Sequence, residues 1–121
     1  MNLQEKMVAI LSAAQVAKGQ IFPHVAPNSA RAPYITYFRL SESPENTLDG
    51  QPSHYHTSMQ LDCMDFSYSG VLAMAEAVEQ AFASPDSGLH CYLNLSQDLY
   101  APETGEYRVL MNFSFWHQKE L

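Results

Sequence analysis

From His54 to Met64 the residues alternate almost without a break. Tyr55, Thr57, Met59, Leu61 and Cys63 take one parity, and His54, His56, Ser58, Gln60, Asp62 and Met64 take the other. Successive side chains of a strand point to opposite faces, so this segment predicts a strand with one dry face and one wet face. That commits the chain to a sheet whose dry face belongs to its own core. The wet face is left polar and open to other uses.

Two further segments repeat the pattern. Leu89, Cys91, Leu93 and Leu95 alternate with His90, Tyr92, Asn94 and Ser96. Tyr107, Val109, Met111, Phe113 and Phe115 alternate with Arg108, Leu110, Asn112, Ser114 and Trp116. Between them, Pro102-Glu103-Thr104-Gly105 predicts the turn of a hairpin. An earlier run, Tyr34-Ile35-Thr36-Tyr37-Phe38, is rich in β-branched and aromatic residues and predicts a strand over residues 33–40, opened by Pro33. Ile21-Phe22-Pro23 predicts a brief extended piece. Ser41 to Ser53, with Pro44, Asn46, Asp49-Gly50 and Pro52, predicts a long polar loop that is mobile in the free chain and ordered on assembly.

Two segments carry helical spacing. Over residues 3–17, Leu3, Met7, Ile10, Leu11 and Ala14 form one stripe, closed by Lys18-Gly19. Over residues 69–83, Val71, Leu72, Ala75, Val78 and Phe82 form another, with Glu76, Glu79 and Gln80 on the wet side. Ser67 or Ser69 can cap the start, and Ser84-Pro85 ends it. Stacking both helices on one sheet face buries every apolar stripe named so far. The expected fold is α+β: a two-layer sandwich with a mainly antiparallel sheet of four to five strands and two helices on one face, in a single domain spanning residues 1–121.

Composition narrows the function. The chain has 6 basic and 13 acidic residues, a net charge of −7, and no basic cluster. Affinity for nucleic acid comes largely from Lys and Arg meeting phosphates, so a sequence-independent DNA binder is disfavoured. The first eighteen residues hold no apolar signal segment, and no apolar run approaches the ~20 residues of a membrane helix. These features predict a cytosolic product with reduced thiols. Cys63 and Cys91 lie on apolar strand faces and read as buried small hydrophobes; a disulfide between neighbouring strands is the alternative.

The search for chemistry returns little. His54 and His56 sit two apart on one strand face, a spacing that can serve a metal if Asp62, His90 or Glu42 adds a third ligand. No His-Glu-x-x-His or Cys-x-x-Cys spacing supports such a site, and two exposed polar residues is the simpler account. No Gly-x-Ser-x-Gly or glycine-rich phosphate loop occurs. Asp62 and Asp65, three apart, fall on opposite strand faces. No catalytic set, cofactor or metal is expected.

The order of elements resembles the DUF3168 family of small tail-completion proteins of long-tailed bacteriophages and prophages, which themselves resemble tail terminator proteins. The resemblance runs over residues 3–117. It rests on the N-terminal helix, Ile21-Phe22-Pro23, Ala32-Pro33-Tyr34-Ile35-Thr36-Tyr37, Met59-Gln60-Leu61-Asp62-Cys63, the alanine-rich helix from Val71 to Phe82, and the closing strand Tyr107 to Phe115. It implies a non-enzymatic part of the virion tail, present in the bacterial host cytoplasm during assembly. Such a part forms a ring of itself, commonly a hexamer, that ends the tail tube and helps join it to the head connector. DNA only passes through the lumen, and an acidic wall does not trap it. The expected contact residues are Arg39, His54, His56, Arg108, Asn112 and Trp116, with Ser58, Gln60 and Ser114 on the same wet face. The rival expectation is a small-ligand-binding or enzymatic α+β domain that uses the polar face as a cleft.

Overall fold

The computed structural model describes residues 2–45 and 54–118. Five strands form one sheet in the order β1-β2-β3-β5-β4: β1 (Ile21–Pro23), β2 (Tyr34–Glu45), β3 (His54–Asp65), β4 (His90–Ala101) and β5 (Glu106–His117). β1 runs parallel to β2, and every other pairing is antiparallel. The helices are α1 (Leu3–Ala13) and α2 (Tyr68–Ala83). The α+β expectation therefore holds, with β1 as the parallel exception.

Both helices cover the same sheet face. Leu3, Met7 and Leu11 of α1 and Val71, Met74, Val78 and Phe82 of α2 are buried in one core with Ile35, Met59, Leu61, Cys63, Val109, Met111, Phe113 and Phe115. The ring of Phe82 meets Phe113 and Phe115 edge-on, at 5.1 and 5.7 Å between centroids. The dry parity of β3 is thus the helix side of the sheet, as its alternation predicts.

Local chemistry sets the helix ends. Asn2 caps α1 by accepting from the Glu5 amide at 2.8 Å, and Ser67 caps α2 by accepting from the Gly70 amide at 3.1 Å. A Cβ at Gly70 would stand 2.5 Å from Asp65 Oδ2, so a side chain there would push the Asp65 carboxylate aside. α1 stops at Ala13, earlier than the spacing predicts. Gln15, Ala17 and Lys18 take left-handed φ values of 58°, 53° and 54°, forming a tight turn that buries Val16 and Ala17. Burial of that pair displaces the last helical turn, and Ala14 is left exposed. In α2, Met74 and not Leu72 joins the core; Leu72 is 41% exposed.

The outer strands depart further. Residues 41–45 belong to β2 rather than to a loop, and 46–53 lie outside the described residues. β1 covers β2 only at Ile35, Thr36 and Tyr37. Beyond that point β2 is an edge strand, where Pro44 has no second ladder to interrupt. The β2–β3 register shifts between Arg39 and Ser41, and the β4–β5 register shifts between Leu93 and Leu95. Each shift inserts one residue, and every later side chain on that strand changes face. Leu95 is therefore not on the core side with Leu93. It pairs with Asn112 on the opposite face and is 51% exposed.

Candidate interface on the sheet

The register places His54, His56, Ser58, Gln60, Asp62 and Met64 of β3 on the face away from both helices, with Arg108, Leu110, Asn112, Ser114 and Trp116 of β5 beside them. This face is laced together by side chains. The Arg108 guanidinium donates to Asp62 Oδ2 at 2.9 Å, and the Asp62 side chain is only 10% exposed. Gln60 Nε2 donates to the other Asp62 oxygen at 3.4 Å. Asn112 Nδ2 donates to Ser58 Oγ at 3.1 Å. Asn94, the residue inserted in β4, donates to both Asn112 Oδ1 at 2.9 Å and Ser114 Oγ at 2.7 Å.

At one end of the face the side chains turn aromatic. The His56 ring stacks on Trp116 at 4.8 Å, and Tyr92 meets Trp116 edge-on at 5.4 Å. The indole Nε1 donates to Glu45 Oε1 at 3.0 Å, which ties β5 to the end of β2 across β3. At the other end, burial and then the neighbouring Glu106 carboxylate push the Tyr34 hydroxyl above its ordinary pKa. Two atoms of the face, His56 Nε2 and Arg108 Nε, are buried with no hydrogen-bond partner. Such atoms are costly and uncommon in a finished surface.

Five of the six expected contact residues, His54, His56, Arg108, Asn112 and Trp116, share this face. Arg39 does not. It pairs with Met59 and so projects on the helix side. The inserted residue Leu40 then brings Glu42 onto that same side, and Arg39 Nη1 lies 3.4 Å from Glu42 Oε2. Asp62 and Asp65 fall on opposite faces as expected, opposite Leu110 and Tyr107.

Glu42 leads to a group that alternation alone does not reveal. Thr57, fully buried on the helix side, donates to Glu42 Oε1 at 3.0 Å, and its oxygen lies 2.7 Å from His117 Nε2. Glu42 Oε1 is 3.6 Å from that same nitrogen. A hydroxyl–imidazole–acid relay needs the acid on the other ring nitrogen. Here both contacts converge on Nε2 and the hydroxyl is sealed, so the geometry fits a buried polar clamp. The signal available in the sequence was a threonine at a core parity. Its partners were hidden, because Glu42 reads as loop and His117 lies at the extreme end of β5.

His56 lies flat on Trp116. Among the described residues, no three His, Cys, Asp or Glu side chains converge to hold a metal ion. The thiols are unbonded, and β5 separates their strands: Cys63 pairs with Val109 and Cys91 with Phe115. That rules out the disulfide between neighbouring strands. Burial, with a smaller push from the Asp62 charge, raises Cys63 to about 12. A depression of 610 Å³ near the polar face lies at the sheet's end among His54, Leu89, His90, Tyr92 and Trp116. The middle of the face is filled by its own paired side chains.

The sequence matches the model of the family described as tail completion protein gp17 over residues 5–118. The chain belongs to that family. As a tail completion protein it is a structural component of phage-type tails, and the family resemblance read from its sequence holds. No curated protein matches it. Among solved structures, a chain from the virion of a native gene transfer agent particle superposes with a TM-score of 0.72. The superposition covers 97% of this chain and 95% of that one at 16% identity, a likeness of fold. Among the described residues of this tail completion protein, no helix is long and apolar enough to cross a membrane.

Proposed function

We propose that the chain ends the phage tail tube and helps join it to the head connector, acting as a ring of identical subunits. The observation that carries this reading is the helix-free sheet face. Its polar groups are organised among themselves, it buries two unsatisfied nitrogens, and it ends in an aromatic group of half-buried His56 and Trp116 with exposed Tyr92. A face of this kind suits contact with protein surfaces, where aromatic anchors inside a polar rim supply most of the energy. Family membership supports the tail, and the tube and connector proteins are the partners this role requires. DNA passes through the lumen without being held, which a net charge of −7 favours. The protein acts in the virion tail and is present in the bacterial host cytoplasm during assembly.

Co-sedimentation of the purified chain with purified tail tubes tests the proposal. The expected result is saturable binding at the tube end and ring-shaped caps by electron microscopy. Tubes that pellet without the chain at every concentration would overturn it.

A further inference from the structure

The two long edges of the sheet are built differently. β4 closes the sheet, so among the described residues its outer edge is unpaired from His90 to Ala101. Those twelve residues contain no Lys, Arg or Pro and one carboxylate, Asp98. Tyr92, at 68%, Leu95, Leu99 and Tyr100 are all exposed along it. Proteins usually blunt such an edge with charge, proline or a cover, because open amides and carbonyls recruit another strand. Among the described residues β4 has no proline and no covering strand, and its one charge is Asp98.

On the opposite side of the molecule, β1 leaves β2 uncovered from Phe38 onward. This open segment includes Arg39 and the exposed Leu40. Of its acids, Glu42 is engaged by Thr57 and Arg39, and Glu45 by the Trp116 indole. Successive antiparallel pairings make β2 and β5 run one way and β3 and β4 the other. In a ring whose axis follows the strands, β2 of one copy therefore meets β4 of its neighbour antiparallel. Parity agrees as well. Asp98 pairs with Val109 and Arg39 with Met59, so both project on the helix side.

Copies carrying −7 each repel, and a seam between them belongs where acid is sparse and meets base. We propose that β4 of one copy receives the open segment of β2, residues 39–43, from a second copy, continuing the sheet across subunits with Asp98 of one facing Arg39 of the next. The two edges differ, so the contact is heterologous, as a closed ring requires. The inference rests on the ring reading above and names its seam.

Charge reversal tests it by sedimentation velocity over a concentration series, alone and with tail tubes. Asp98→Arg and Arg39→Asp are each expected to weaken self-association roughly tenfold or more, and the double reversal to recover most of it. Asp98 also accepts from the Tyr68 hydroxyl at 2.6 Å, so circular dichroism of each variant checks folding. Recovery in the double variant cannot come from that local contact. Multimers or caps that ignore both reversals, or a double variant no better than the singles, would overturn the seam while leaving the tail role standing. A wild-type chain that stays monomeric and never caps tubes would overturn both.

Discussion

His56 and Trp116, directly opposed on β3 and β5, stack with their ring centroids 4.8 Å apart and their planes 25° from parallel. Tyr92 closes the third side and Glu45 accepts from the indole. The stack holds the chain's single tryptophan in one orientation on the helix-free face. Pre-set aromatic anchors contribute to binding with little further loss of side-chain freedom. Trp116→Ala is expected to leave the circular dichroism spectrum intact and weaken tail-tube binding by about 2 kcal/mol, roughly thirtyfold. Trp116→Phe, which keeps a ring and loses the indole donor, is expected to fall between. Wild-type binding by the alanine variant would show that this end of the face is not the contact.

The Arg108–Asp62 pair makes a different prediction, about stability. Removing Arg108 leaves a carboxylate that is nine-tenths covered without its cation. Arg108→Ala is expected to lower unfolding free energy by about 1–3 kcal/mol in urea titrations. The double variant Arg108→Gln with Asp62→Asn is expected to lose less than the sum of the singles, because neither group is then a lone buried charge. Strict additivity would deny the coupling.

Cys63 links the core to pH. The folded thiol keeps its proton to about 12, whereas the unfolded thiol ionises near 9.0. Its contribution to stability is complete below about pH 9 and declines from there toward pH 12. The wild type is expected to lose stability faster than Cys63→Ala across that window, by up to about 1.4 kcal/mol per pH unit. At pH 8 a thiol reagent is expected to modify Cys63 on the order of a thousandfold more slowly in the folded chain than in denaturant. Parallel pH–stability curves for the two proteins would refute the assignment.

The register shift in β4 is open to a direct comparison. Leu93, half-buried, packs against the core, and Leu95 stands on the opposite face. Leu95→Lys is expected to change the melting temperature little, within the equivalent of about 0.5 kcal/mol. Leu93→Lys is expected to cost about 2 kcal/mol or more. Equal losses would mean the two leucines share a side.

The central part of this molecule is legible in its sequence because its constraints are local and periodic. β3 has neighbours on both sides and a helix layer over one face, so its alternation from His54 to Met64 is uninterrupted, and five of the six contact residues follow from parity. The outer strands escape because their parity changes part-way. Nothing in Phe38-Arg39-Leu40-Ser41 or Leu93-Asn94-Leu95 announces an inserted residue; the partner strand decides it. Leu95 changes face for that reason, whereas Arg39 stands before the inserted residue and keeps the core-side parity of Ile35 and Tyr37. The Glu42–Thr57–His117 clamp was hidden because it joins three strands at positions far apart in the chain. Pro44 argued for a loop because the sequence does not reveal that β1 is only three residues long.

The two inserted residues also bear on how chains of this family can vary in length. Each is a phase change in which side of the sheet the following residues address. A single-residue deletion after Asn94 would send Ser96, Asp98 and Tyr100 to the helix-free side and their neighbours to the helix side, however little it changed the local amino-acid content. Length changes in the outer strands are therefore tolerable in twos, or as ones matched by the loss or gain of an insertion. Relatives of this chain are expected to conserve the parity of these strands more strictly than the identity of the residues within them.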